Sequence, residues 1–192
     1  MQSTVHHDYF KALYTVAKTV NSTLDLKTVL NACAESTAQT LGFKGCSIRL
    51  LDQNRERLVL AAHYGLSHEY LEKGPVFAGR SLSEVLQGKS IAIMDAKNDP
   101  RAQYPEAAAK EGIASILGVP LVARDNIIGV MRVYTATLHE FTDEEIEFLQ
   151  AAANLSALAI QNATLYDHIK REVEELRKGV DGLFGYLPQL EA

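Results

Sequence analysis

Two arginines stand where a strand would ordinarily be apolar. Arg49 interrupts Ser47-Ile48-Arg49-Leu50-Leu51, and Arg132 interrupts Val130-Met131-Arg132-Val133-Tyr134. Side chains alternate along a strand, so Arg49 shares a face with Ser47 and Leu51, and Arg132 with Val130 and Tyr134. A guanidinium buried without compensation is expensive, so each needs a partner. An anionic ligand, carboxylate or phosphate, gripped by the guanidinium fork is one solution. A structural ion pair with an acid such as Asp95 or Glu35 is a second, and exposure at the surface is a third.

Other chemistry is thinner. The six histidines, His6, His7, His63, His68, His139 and His168, show no convergent metal-ligand spacing. The chain has no G-x-S-x-G, no H-E-x-x-H, no P-loop and no dinucleotide-binding glycine fingerprint. Gly74-Pro75-Val76-Phe77-Ala78-Gly79 lacks the Lys and following helix of a phosphate cradle. These absences predict no enzyme and no metal site. Cys33 and Cys46 have no CxxC or Cys/His spacing; they could form one disulfide, but a reduced, buried pair is the expectation.

Composition narrows the class. With 47% hydrophobic and 22% charged residues among 192, the chain is globular and long enough for one well-buried core. The net charge of -5, mixed along the sequence, leaves no basic face for nucleic acid. No run of about 18 apolar residues occurs, so no membrane span is expected. Met1–Asp8 lacks a basic segment followed by an apolar one, so no secretory signal is read and the expected location is the cytoplasm.

The elements that must carry the arginines follow from periodicity and punctuation. Tyr9, Leu13, Val16 and Val20 form one helical stripe over about 8–21. A second helix runs Leu26 to Leu41, capped by Asp25 and stopped by Gly42. Strands Gly45–Asp52 and Arg57–Tyr64 make a hairpin. A helical turn near Glu69-Tyr70-Leu71, a loop over 74–79 and a short helix Ser81–Gln87 precede a strand at Ile91–Met94. After the turn signal Asn98-Asp99-Pro100-Arg101, Pro105 opens a helix that ends at Gly112. Strands Ser115–Val122 and Ile127–Thr135 form a second hairpin across Arg124-Asp125-Asn126. Thr142-Asp143-Glu144-Glu145 is a capping box, and the helix it opens meets no breaker before Gly179. Hairpins and short excursions between strands predict an antiparallel sheet of five or six strands, in the α/β (α+β) class, with helices on one face and loops on the other.

This order of elements resembles the GAF family of small-molecule sensor domains over about residues 8–166. The stretches that carry the resemblance are Ala62-His63-Tyr64-Gly65-Leu66, Gly79-Arg80-Ser81-Leu82, Gly88-Lys89-Ser90, Asp95 with Asn98-Asp99-Pro100-Arg101, Val119-Pro120-Leu121, Ile128-Gly129-Val130 and Phe141-Thr142-Asp143-Glu144-Glu145. The resemblance implies a PAS-like plan, with the terminal helices on one face of the sheet and a ligand pocket roofed by middle loops on the other. It also implies that the strands of Arg49 and Arg132 are neighbours, so both guanidiniums point into one cavity. Asp95, His63, Tyr64, Tyr70, Phe77 and Tyr104 fall in segments that would line or roof it, or else belong to the core.

The family's ligands include cyclic nucleotides, bilins and haem, and some members bind nothing, so the ligand stays open. Cyclic-nucleotide binders are similar to one another in an Asn-Lys pair at the end of the last strand, where this chain has Tyr134-Thr135. Bilin carriers need a pocket Cys near a His, and neither Cys33 nor Cys46 lies beside one. His63 and His68 are the histidines nearest the expected pocket, but a lone haem ligand is not the expectation. Methionine-sulfoxide-reducing members need several cysteines in the central loops, which this chain lacks.

The last helix suggests how a signal would leave. Leu155, Leu158, Asn162, Leu165, Ile169, Val173, Leu176, Val180 and Leu183 recur at intervals of three and four, a coiled-coil seam in which Asn162 favours a parallel homodimer. Ile146, Leu149, Ala153 and Ile160 face the sheet instead. Tyr9, Leu13 and Val16 of the first helix are expected to join the dimer bundle, and Gly179 and Gly182 to fray the last turns. Residues 1–166 thus read as a sensor domain, and 167–192 as a coiled-coil extension with an apolar tail that docks on a partner protein in trans or frays. The rival reading is a ligand-free dimerisation and interaction scaffold.

Overall fold

The computed structural model describes residues 8–23, 25–78 and 83–186; side chains from 179 onward lie outside that description. Helix α1 (Tyr9–Ser22) begins where the Asp8 carboxylate accepts from the Lys11 N–H at 3.0 Å. Helix α2 (Leu26–Leu41) is capped by Asp25, which accepts from the Thr28 N–H at 3.2 Å. It closes at Gly42, whose φ of 67° suits the left-handed stop and turns its N–H back to the Ala38 and Gln39 carbonyls.

Six strands form one antiparallel sheet in the order β3-β2-β1-β6-β5-β4. They are β1 (Gly45–Leu51), β2 (Arg57–Tyr64), β3 (Val76–Phe77), β4 (Ile91–Ile93), β5 (Ser115–Ala123) and β6 (Asn126–Thr135). The β5–β6 hairpin turns on Arg124 and Asp125, both at positive φ, the backbone twist that tight hairpins need. β3, a loop by sequence, pairs Val76 with Leu58 and Phe77 with Arg57. Gln103 covers its other edge: the Phe77 N–H donates to Oε1 at 3.2 Å and Nε2 donates to the Phe77 carbonyl at 2.7 Å.

Alternation gives the sheet two unlike faces. Cys46 and Ile48, Leu117, Val119 and Leu121, and Met131 and Val133 pack under α2 and the last helix, α5 (Asp143–Tyr186). Ala34, Ala38, Ala152 and Ala153 let those helices lie close. The other face carries Leu58, Tyr70, Val76, Ile91, Ile116, Val130 and Tyr134 in a second, smaller core. It is covered by the one-turn helix α3 (His68–Leu71), a 3-10 turn (Val85–Gln87) and α4 (Pro105–Glu111). Of the expected helix Ser81–Gln87, the described residues 83–87 hold that 3-10 turn; Ser81 and Leu82, like the whole stretch 79–82, lie outside the described residues.

The capping box holds α5 as expected: Glu145 N–H donates to Thr142 Oγ1 at 3.2 Å and Thr142 N–H to Glu145 Oε2 at 2.8 Å. Helix α5 continues through Gly179 and Gly182 to Tyr186, correcting the expected fraying. A helical glycine costs about 1 kcal/mol but keeps its N–H and its place in the ladder. Residues 187–192, including Leu187 and Pro188 of the expected tail, lie outside the described residues. No helix among the described residues is long and apolar enough to cross a membrane.

Candidate functional site

The register of the central strands brings the two arginines together. Ser47 pairs with Arg132 and Arg49 with Val130 across β1 and β6, so Arg49 and Arg132 are diagonal neighbours on the face away from the long helices. Gly118 lies opposite Arg132 on β5, and a Cβ there would come within 3.4 Å of Arg132 Cγ. The bare glycine is thus the shelf on which the Arg132 side chain lies.

Arg49 is 5% exposed. One guanidinium nitrogen, Nη1, donates to the Leu58 carbonyl at 3.3 Å; the other, Nη2, is buried with no hydrogen-bond partner among the described residues. Burial pulls this guanidinium below its usual range, and nearby Arg132 adds to the pull. Neither acid considered from sequence meets it. Asp95 accepts from the Lys97 N–H at 3.0 Å and from Asn98 Nδ2 at 2.7 Å in its own turn, and Glu35 accepts from Gln39 Nε2 on α2 at 3.2 Å. Surface exposure is also excluded for Arg49. A buried, half-satisfied cation is what remains.

A third cation joins this face. Lys73 Nζ lies 3.5 Å from the Tyr70 ring centroid and donates to the Tyr70 carbonyl at 2.9 Å. Burial pushes its ammonium down to about 7, with Arg49 and Arg132 pushing the same way and Glu111 opposing. Tyr70 meets Tyr134 edge-on, centroids 5.9 Å apart, and burial pushes the Tyr70 phenol up.

Tyr70, Lys73, Gln103, Tyr104 and Arg132 bound a small cavity of about 20 Å³, room for roughly one water. Outside lies an open groove of about 960 Å³ between α3 and α4, lined also by Lys44, Ser67, Lys110 and Glu111. Tyr70, Lys73, Gln103 and Tyr104 line both spaces and form the wall between them. Tyr104 is fixed by donating from its hydroxyl to the Pro75 carbonyl at 2.7 Å.

Four other sequence candidates stand apart from this cluster. Tyr64 packs on the helix side, where its hydroxyl accepts from Gln39 Nε2 at 3.1 Å. His63 pairs with Ser47 but is exposed, Phe77 is exposed beneath Arg57, and Asp95 is half-buried in its own turn. His68 is at the surface, paired with Glu72. No group of three or more potential metal ligands occurs among the described residues. Sequence reasoning missed Lys73 and Gln103, because a polar residue beside a one-turn helix and one in a loop give no periodic signal of burial. Both thiols are free and buried on the opposite face, and burial pushes the Cys46 thiol up.

On the helical side, Val16 is 3% exposed and Tyr9 stacks on Phe148 at 4.6 Å. Val16 is buried in the protomer's own core and Tyr9 and Leu13 pack against it partly buried, while Phe10 and Tyr14 are the large apolar side chains of α1 that are exposed. On α5, Leu155 packs on that core, whereas Leu158, Asn162, Leu165, Ile169, Val173 and Leu176 are exposed. Val180 and Leu183 fall outside the described side chains.

A model of the GAF domain matches residues 23–161. The chain belongs to the GAF family. Its GAF fold superimposes on the GAF domain of a phosphoenolpyruvate-protein phosphotransferase from Coxiella burnetii with a TM-score of 0.73. That match has 23% identity and covers 83% of this chain and 96% of the other, a likeness of fold. In sequence, the GAF chain is 24% identical over 176 residues to the formate hydrogenlyase transcriptional activator of Salmonella typhimurium, covering 88% of this chain and 25% of that protein. It is 24% identical over 145 residues to a methyl sulfide methyltransferase-associated sensor of Methanosarcina acetivorans, covering 72% of this chain and 14% of that protein. The chain spans a quarter or less of these two relatives.

Proposed function

We propose that this GAF chain is a cytoplasmic, non-enzymatic sensory module that takes a small molecule on the sheet face away from the long helices and reports through a helical homodimer to a partner protein. The observation that carries the reading is the contrast between the two faces. One is sealed by an apolar helical layer, whereas the other sets Arg132, Lys73, Tyr70 and Tyr104 around a small cavity beside a groove, with buried Arg49 diagonal to Arg132 and Tyr134 edge-on to Tyr70. Apolar residues would fill that layer at less cost, and convergent polar groups in a concave site are the form a binding pocket takes. The printed names of the two relatives, an activator and a sensor, support a regulatory role.

The stalk supports the output half. Leu158, Leu165, Ile169, Val173 and Leu176 leave an exposed apolar seam on α5, and a lone solvated helix would not keep one. With Asn162 in the seam, a parallel pairing with a second copy follows. Light scattering on Ile169→Glu tests it: the variant is expected to run as a monomer with unchanged helical content, and a monomeric wild type would sink the dimer. Native mass spectrometry of freshly purified protein tests the guest.

The small size of the cavity, about 20 Å³, favours one second reading, a ligand-free scaffold for dimerisation and protein interaction. A persistent dimer that no small molecule stabilises would decide for it.

A further inference from the structure

We infer that the small molecule presents an oxyanion, a carboxylate or phosphate group, which Arg49 grips with Arg132 and Lys73 beside it. This rests on the small-molecule reading above and names the chemistry of that same site.

Arg101 lines the same cavity, but Asp99 matches its charge at 2.6 Å. The Glu111 carboxylate accepts from the Ser67 N–H at 2.9 Å and from the Ser67 hydroxyl, with Lys44 at 3.9 Å. Asp95 and Glu35 are engaged in their own turn and helix. Among the described residues Arg49 therefore meets no carboxylate and keeps a buried Nη2 with nothing to donate to. A deeply buried guanidinium fork with one prong unused asks for an acceptor that carries charge, since a neutral oxygen returns only part of its desolvation cost. A planar or tetrahedral oxyanion supplies two acceptors at once. The cavity of about 20 Å³, lined by Arg132 and Lys73 but not by Arg49, is too small to admit one unless the Lys73–Tyr104 wall yields. The anionic group therefore enters from the groove and passes that wall to reach Arg49, and any larger ligand body stays in the groove.

The test uses the full 192-residue chain, with thermal melts in inorganic phosphate, acetate and neutral acetamide against sodium chloride of equal ionic strength. A saturable rise in melting temperature with phosphate or acetate, beyond chloride and absent with acetamide, is expected. The stronger of the two responses assigns the group. In Arg49→Met the apparent affinity should fall roughly ten- to a hundredfold, while the ligand-free melting temperature holds or rises because an unpaired charge has gone. If that variant does not fold, the Arg49 Nε–Hε NMR resonance of the wild type should still move saturably with the active anion. No response to either anion, or a response that survives Arg49→Met, overturns the inference. The small-molecule reading fails separately, if native mass spectrometry finds no guest and a broad panel of neutral metabolites is also silent.

Discussion

The hydroxyls of Ser47 and Tyr134 meet at 2.8 Å on the same sheet face as Arg49 and Arg132. They belong to adjacent strands, and both residues are almost fully buried. Tyr134→Phe or Ser47→Ala should therefore cost about 1–2 kcal/mol, because each strands the other's hydroxyl. The double variant should cost less than the sum of the singles. Urea unfolding of all four proteins reads the coupling, and strictly additive values would mean that the two hydroxyls do not support one another.

Lys73 gives a pH dependence of known sign. Its ammonium is held at about 7 in the folded chain, against an ordinary lysine value of 10.5. Between those values the unfolded chain binds more protons, so this residue makes stability rise with pH. The cost of burying the charged form is fully present below about pH 7 and fades as the pH climbs towards 10.5. In Lys73→Met, the slope of unfolding free energy between about pH 7.5 and 9.5 should be flatter than in the wild type. An unchanged slope would place Lys73 in solvent.

Gly74 and Tyr104 share one small space. Gly74 has a φ of 127°, and a Cβ there would lie 2.8 Å from the Tyr104 hydroxyl. Gly74→Ala should cost about 1–3 kcal/mol from backbone strain and the displaced ring. In a Tyr104→Ala background only the strain remains, so the penalty should shrink. Equal penalties in both backgrounds, by urea unfolding, would remove the ring from the account.

The cap of α5 makes a simpler prediction. Thr142→Ala should cost about 1 kcal/mol, the usual value of an N-cap hydroxyl. Glu145→Ala should cost more, because Glu145 also accepts from the Thr142 N–H and pairs with His139 at 2.9 Å. Chemical denaturation ranks the two, and the reverse order would make the hydroxyl the dominant cap.

Local chemistry was readable from the chain itself. Asp25, Gly42 and the Thr142–Glu145 box mark helix ends because capping joins groups three or four residues apart. Alternation correctly set Arg49 with Ser47, and Arg132 with Tyr134, because the pleat has a period of two. β3 was illegible: two residues carry no period, and Gln103, which covers the strand's edge, comes 26 positions later. Periodicity also tells which residues share a face without telling what covers it. Tyr9, Leu13 and Val16 make one stripe whatever covers it, and only the tertiary structure shows that Tyr9 stacks on Phe148 and that all three touch the protomer's own core. The same limit hid that Asp95 and Glu35 look away from Arg49 and that Lys73 is drawn in beside it. A charge's partner depends on which distant segments the fold brings within a few ångströms, and only the tertiary structure decides that.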